Sequence, residues 1–201
     1  MKTVVINAGP KRRDFNAQLA QSAREGAESV GAEVKYVDLY KLDMSGCMIC
    51  LICKRDEDVC KCYWKDELSP LIEEIFSADV LLIAAPIFFS QPTSQYMAFL
   101  ERLIFSLVSF KSGNKFKGNI DVGLFYTMEY PMYYFEKSIR PHIKPSEDLL
   151  KMLNGKVVVE VFSRISKNMA SQLSEDELKS KDEQMEKDLD KTYEIGAELS
   201  Q

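Results

Sequence analysis

The chain has 201 residues and a formal net charge of −5. That length fits one large domain better than two small ones, and the acidic balance argues against nucleic acid as a partner. No apolar run approaches the roughly 18 residues of a membrane span, and the apolar stretch at Met1–Ile6 is too short for a secretory leader, so no membrane partner and a cytoplasmic location are expected.

Val4–Ile6 reads as a short buried strand, followed by a polar loop over Asn7–Asn16. Ala17–Val30 has helical spacing, with Leu19, Ala20, Ala23, Ala27 and Val30 on one face and Gly31 at the stop. Glu33–Asp38 alternates as a second strand. A cysteine-rich loop over 46–65 comes next, then a helix over Asp66–Phe76. Asp79–Ala85 is apolar throughout, as a strand covered on both faces should be. The loop Pro86–Gln91 leads into a long helix over Pro92–Val108. Residues 111–119 form a loop, and Ile120–Tyr126 and Lys156–Phe162 read as the fourth and fifth strands. The stretch 128–150, rich in Tyr, Pro and Phe, shows no clear period. From Ser174 to Leu199 a charged helix with an apolar stripe at Leu178, Met185, Leu189, Tyr193 and Ile195 is expected on the surface. Strands alternating with helices imply an α/β fold with a parallel sheet, in one domain over 1–201.

All five cysteines lie in one segment: Cys47, Cys50 and Cys53 in even step, then Cys60 and Cys62. Buried structural cysteines scatter as small apolar residues, so this clustering points to a soft metal centre. Disulfides explain it poorly, because a reducing compartment keeps thiols apart and an odd count leaves one over. Thiolates two residues apart can wrap an iron–sulfur cluster, and three such ligands plus a fourth farther on is the ferredoxin type of arrangement. Zinc, which more often joins two separated cysteine pairs, and bare thiols in a lost site are the other readings. By spacing, Cys60 is the natural fourth ligand. The single histidine, His142, reads as packed or surface, and its solitude argues against a Ser-His-Asp or Cys-His hydrolase.

A strand, a loop containing Gly9 and Pro10, and a helix form an anion-binding arrangement, to which Lys11, Arg12 and Arg13 add charge. With Gly9 its only glycine, the loop is not a dinucleotide fingerprint. The loop carrying Pro86, Ile87, Phe88, Phe89 and Ser90 should lie at the same carboxyl edge of the sheet, where ligands bind in open α/β folds. Its two rings would suit a flat heterocycle; the plainer reading puts Phe88 and Phe89 in the core.

Ile6–Lys11, the cysteine run before Lys65–Leu68, and Ala85–Phe89 with Phe99–Arg102 come in an order and spacing that resemble the flavodoxin-like NAD(P)H-dependent FMN reductases, in their iron–sulfur flavoprotein branch. Asp188–Gly196 is similar to that branch as well. The resemblance implies a flavodoxin-like three-layer sandwich with a five-stranded parallel sheet. It implies FMN held by Gly9, Pro10, Lys11, Arg12, Arg13, Asn16 and Ala17 and by residues 86–90. It also implies a [4Fe-4S] cluster, NAD(P)H as a possible substrate, a small-molecule or protein electron partner, and a homodimer or tetramer. Aligned on Lys65–Leu68, the fourth cluster ligand is Cys62 instead of Cys60.

Several positions depart from the family pattern. Gly9 stands where Ser is usual, Ala17 where Ser or Thr is usual, Lys11 where Arg is common and Phe88 where Tyr is usual. Thr127–Tyr130 lacks the glycine expected near the flavin ring. Each lost hydroxyl removes a hydrogen bond to a charged phosphate, worth about 1.5–3 kcal/mol. These departures leave open a competing expectation, a flavodoxin-like protein that has lost FMN and acts as a metal-binding or redox-sensing module. Apolar surplus over 103–110 and 126–135 is expected to form a subunit contact.

Overall fold

The structure is a computed structural model and describes residues 1–164 and 175–201. Its centre is a parallel sheet of five strands: β1 (Lys2–Asn7), β2 (Glu33–Asp38), β3 (Val80–Phe88), β7 (Ile120–Met128) and β8 (Asn154–Ser163). They lie in the order β2-β1-β3-β7-β8. The chain order reverses between β1 and β3, which opens a crevice at their carboxyl ends. A two-residue strand, β4 (Gln91–Pro92), folds back antiparallel on the end of β3, and β5 (Val108–Ser109) pairs with β6 (Gly113–Asn114) in a separate small hairpin.

Strand residues alternate between two apolar layers, as a strand's two-residue period requires. Val4, Ile6, Leu81, Ile83, Val122 and Leu124 face a layer closed by α2 (Leu68–Ile75) and α3 (Ser94–Leu107). Val5, Leu82, Ala84 and Phe125 face the layer of α1 (Phe15–Ser29) and α6 (Glu175–Leu199). The expected α/β architecture is therefore present, with corrections at its margins. β3 runs through Pro86 and Ile87 to Phe88 rather than ending at Ala85, because at a strand end proline's missing N–H costs no ladder bond.

The stretch without a period is helical. It comprises α4 (Met132–Tyr134), a π-helical turn at Phe135–Ile139 and α5 (Arg140–Leu149). The wide turn and Pro141 and Pro145 break the 3.6-residue repeat that periodicity looks for. His142 is exposed on α5 and its Nδ1 lies 2.9 Å from the Ser138 carbonyl oxygen.

α6 is not only a surface helix. Thr192 and Leu199 are buried, and Leu189 and Ile195 pack on the α1 layer. The helices approach so closely that a Cβ on Gly26 would stand 2.0 Å from the Tyr193 carbonyl oxygen, and one on Gly196 2.3 Å from that of Ala23. Tyr193 itself is exposed. Ser174 and the side chain of Leu178 lie outside the described residues.

Candidate functional site

The first loop is fixed from beneath by buried amides. Asn16 Nδ2 donates to Asn7 Oδ1 at 2.8 Å and to the Ala84 carbonyl at 3.1 Å, while Thr127 Oγ1 donates to Asn16 Oδ1 at 3.1 Å. Asn7 Nδ2 donates to Asp38 Oδ1, and the Gly9 N–H donates to Asn7 Oδ1. Thr93, the cap of α3, donates to the Ala8 carbonyl at 2.8 Å. Three strand ends and a helix start thus hold one loop. Burial would raise the Asp38 carboxyl, but hydrogen bonds from Lys41 and Asn7 outweigh it and keep it below the usual carboxylate range.

Above this floor the loop presents charge. Lys11, Arg12 and Arg13 are exposed and form no ion pair among the described residues. The backbone N–H groups from Lys11 to Asn16 likewise have no acceptor there. Asp14 caps α1, accepting from the Ala17 N–H at 3.0 Å, and Asp38 feels the charge of Arg12, so two carboxylates oppose three cations. Free donors and surplus positive charge at a helix start fit a phosphate. Asn16 and Ala17 are buried under the loop, and Pro10 is exposed. The hydroxyl missing at position 9 has no room here, because a Cβ on Gly9 would lie 2.9 Å from Asn16 Nδ2.

Phe88 and Phe89 are not core. Phe89 is 96% exposed, while Pro86 and Ile87 are buried strand residues. Phe89 and Ser90 form the two-residue turn between β3 and β4 with φ of 50° and 65°. Such hairpins ordinarily take Asn-Gly, and side chains there cost about 1–3 kcal/mol each, strain that is found at functional sites. Tyr130, Tyr133 and Tyr134 stand exposed beyond the end of β7, whereas Tyr126 is buried. Of the apolar segment 103–110, Leu103, Ile104 and Leu107 are core and Phe110 alone projects. The expected contact surface is therefore smaller than the sequence implies.

The cysteine loop lies across α3. Cys47, Cys50, Cys53 and Cys62 line one small pocket together with Trp64 and Arg102. Cys60 is not in its wall; like Cys62 it packs on the apolar layer, and burial pushes its thiol up, against the opposing pull of Lys115 and Lys117. Burial likewise pushes the Cys53 thiol up, against Lys54 and Lys115. Among the described residues no three His, Cys, Asp or Glu side chains converge as they would on a single ion. Ile49 and Leu51, either side of Cys50, have φ of 50° and 58°. For a β-branched isoleucine this is a clear outlier. Leu51, in the left-handed region, leads straight into a single helical turn at Ile52–Lys54.

Sequence reasoning missed the cations around this pocket. Arg102 is 2% exposed, the largest of the fully buried side chains. Its Nη2 donates to Cys62 Sγ at 3.3 Å, to Asp66 Oδ1 at 2.9 Å and to Ser69 Oγ at 2.6 Å, and its Nη1 to Asp66 Oδ2 and to the Ser45 carbonyl. Burial would raise the Asp66 carboxyl, but Arg102 outweighs it and holds it below the usual range. Lys115, also buried, donates to the carbonyls of Cys53 and Asp56. Lys54 lies 3.8 Å from the Phe105 ring centre. The signal in the sequence was Arg102 itself, a charge on the apolar face of α3 between Phe99 and Ser106.

The profile of the NADPH-dependent FMN reductase family matches residues 1–128. The chain belongs to that family. Within this FMN reductase family it is similar to an iron-sulfur flavoprotein of Methanocaldococcus jannaschii, 23% identical over 123 residues that cover 61% of this chain and 62% of the relative. It is also similar to an iron-sulfur flavoprotein of Methanosarcina thermophila, 26% identical over 124 residues covering 61% and 63%. The match thus spans less than two thirds of those relatives' length. Among solved structures, an NAD(P)H:quinone oxidoreductase from Methanothermobacter marburgensis superposes with a TM-score of 0.75 at 15% identity, covering 100% of this chain and 98% of the other. An FMN-dependent NADH-azoreductase from Bacillus anthracis, solved with FMN, gives 0.65 at 13% identity with both chains fully covered. At such identities these likenesses establish the flavodoxin-like fold, and the family match makes the chain a member of an oxidoreductase family.

Proposed function

We propose that the chain is an FMN-dependent oxidoreductase that holds a [4Fe-4S] cluster on Cys47, Cys50, Cys53 and Cys62. It would exchange electrons between a reduced nicotinamide and a small-molecule or protein partner. The observation that carries this reading is that four of the five cysteines line one pocket, with Arg102 donating to Cys62 Sγ. When bound, the flavin supplies hydride and single-electron chemistry and the cluster single-electron transfer. The chain's own residues bind and orient. Lys11, Arg12, Arg13 and the free N–H groups of the first loop take the phosphate. The Asn7–Asn16–Thr127 network keeps that loop in shape, and Phe88 and Phe89 offer rings to the flavin. Arg102, Lys54 and Lys115 offset the negative charge of four thiolates, and hydrogen bonds to sulfur are a means of tuning cluster potential. A homodimer or tetramer would cover Phe89 and Tyr133.

Cys62→Ser tests the assignment against Cys60→Ser. After anaerobic preparation the first should lose iron and sulfide and the second keep them; the reverse would make Cys60 the ligand. A second reading, a metal-binding or redox-sensing module without FMN, is favoured by the Asp14 carboxylate at the start of α1. Absence of FMN binding at tens of micromolar would select it.

A further inference from the structure

β8 is the outer strand of the sheet beyond β7, and no strand among the described residues pairs with its far edge. It is the longer of the two edge strands, ten residues against six in β2. Its middle reads Val157-Val158-Val159, and Phe162 alone of its residues is buried. β-branched residues in a row favour pairing, and an open apolar edge is a template for another strand.

The hydrogen bonds fix which groups point outward. The Lys156 N–H donates to Asp121 Oδ1 of β7 at 2.8 Å, and the Arg164 N–H donates to the Met128 carbonyl of β7 at 2.7 Å. Backbone groups alternate along a strand, so the even-numbered residues between them face β7 as well. The N–H and C=O groups of Val157, Val159 and Val161 therefore point away from the sheet. The side chains alternate too. Val157, Val159 and Val161 lie on the layer of α2 and α3, whereas Val158 and Phe162 pack on the α1 layer. On that second face Lys156 pairs with Glu198 of α6 at 2.7 Å, and Glu160 with Lys191 of α6 at 2.6 Å.

These charges select the occupant. We propose that β8 pairs antiparallel with β8 of a second copy, about a two-fold axis at Val158. That register sets Val157 against Val159 of the second copy, and each such pair exchanges both N–H···O bonds. It sets Lys156 against Glu160 of the second copy, in the narrow pairs whose Cα atoms stand about 4.5 Å apart. The ion pairs then join into a row of alternating sign: Lys191 and Glu160, followed by Lys156 and Glu198 of the second copy. The axis repeats the row on its other side. Slipping the register by two residues sets Glu160 against Val158 or Asn154 and removes both cross-strand pairs. A strand of another protein meets these charges only by coincidence, whereas a two-fold contact requires a self-complementary edge. The contact uses no cofactor and is separate from the one over Phe89 and Tyr133.

Sedimentation velocity of the purified full chain tests the contact. Glu160→Lys sets lysine against Lys156 across the axis, and Lys156→Glu sets glutamate against Glu160. Each variant alone should halve the mass of the assembly. Mixed in equal amounts, the two should regain it, because each then meets its opposite charge. Val159→Pro should also halve the mass and keep the fold, since the N–H it removes points outward at an edge. Val158→Pro, which removes an N–H facing β7, should unfold the chain. Hydrogen exchange read by nuclear magnetic resonance gives the local signature. The Val157, Val159 and Val161 amides should exchange at least tenfold faster once dilution separates the copies. A mass unchanged in both charge variants, or no recovery on mixing, overturns the inference. So does a chain that stays monomeric at its highest soluble concentration. So does slow exchange of these amides in the monomer, which would show an edge covered within its own chain. None of these readouts depends on FMN or iron, so this contact and the proposed function stand or fall separately.

Discussion

Replacing Arg102 by Met removes a buried guanidinium of similar length and leaves its partners behind. Asp66, with a side chain only 10% exposed, would keep its charge with no cation to pair it. Ser69 Oγ, the Ser45 carbonyl and Cys62 Sγ would each lose a donor. Removing one member of a buried ion pair typically costs about 3–5 kcal/mol. With a urea slope of about 2–3 kcal/mol/M for a chain of this size, the midpoint should fall by about 1–2.5 M. The assay is urea unfolding of the iron-free protein, so that cluster loss does not enter. Arg102→Lys keeps the charge but not the planar fork and should fall between. Adding Asp66→Leu to Arg102→Met should recover part of the loss. The pair also sets a pH dependence. Asp66 is held below its unfolded value of about 3.9, so its contribution is full at neutral pH and fades as pH falls through the depressed value. A midpoint shift under 0.5 M, or a loss unchanged at pH 3, would refute the reasoning.

Glu147 is buried with both carboxylate oxygens lacking a hydrogen bond, and burial raises its carboxyl although Lys144 stands 3.5 Å away. A raised folded value means stability is greatest at acid pH and lost as pH rises through it. Glu147→Gln should therefore stabilise the protein at pH 8 by about 1–2 kcal/mol and flatten the decline that sets in as pH rises, read by thermal unfolding against pH. No gain at pH 8 would show that the carboxylate is paired. Gly9→Ser, which would restore a family hydroxyl, should weaken FMN rather than tighten it, because the new Cβ presses on the Asn16 amide. Titration showing tighter binding would mean that Asn16 moves aside at little cost.

The sheet was legible because its strands are short apolar runs between loops, and a strand covered on both faces tolerates little else. Its edges were less so. Pro86 reads as a loop residue, yet it pairs with Thr127 at the end of β3. The exposure of Phe89 was hidden because apolar character alone argues burial, and only the left-handed turn pushes the ring outward. Spacing along the chain favoured Cys60, whereas in the fold both Cys60 and Cys62 pack on the apolar layer and Cys62 alone of the two also lines the pocket and accepts from Arg102. Arg102 could have been caught, since a charge on an apolar helix face needs a buried partner, and Asp66 and Ser69 are three residues apart to supply it. The close packing of Gly26 and Gly196 depends on two helices far apart in sequence, which no local pattern reports.

The most direct test of the account is the metal and flavin content of the protein prepared without oxygen. It predicts about four iron and four sulfide per chain, with FMN bound and both a flavin band and a broad brown absorbance in the spectrum. One zinc per chain and no iron would contradict it.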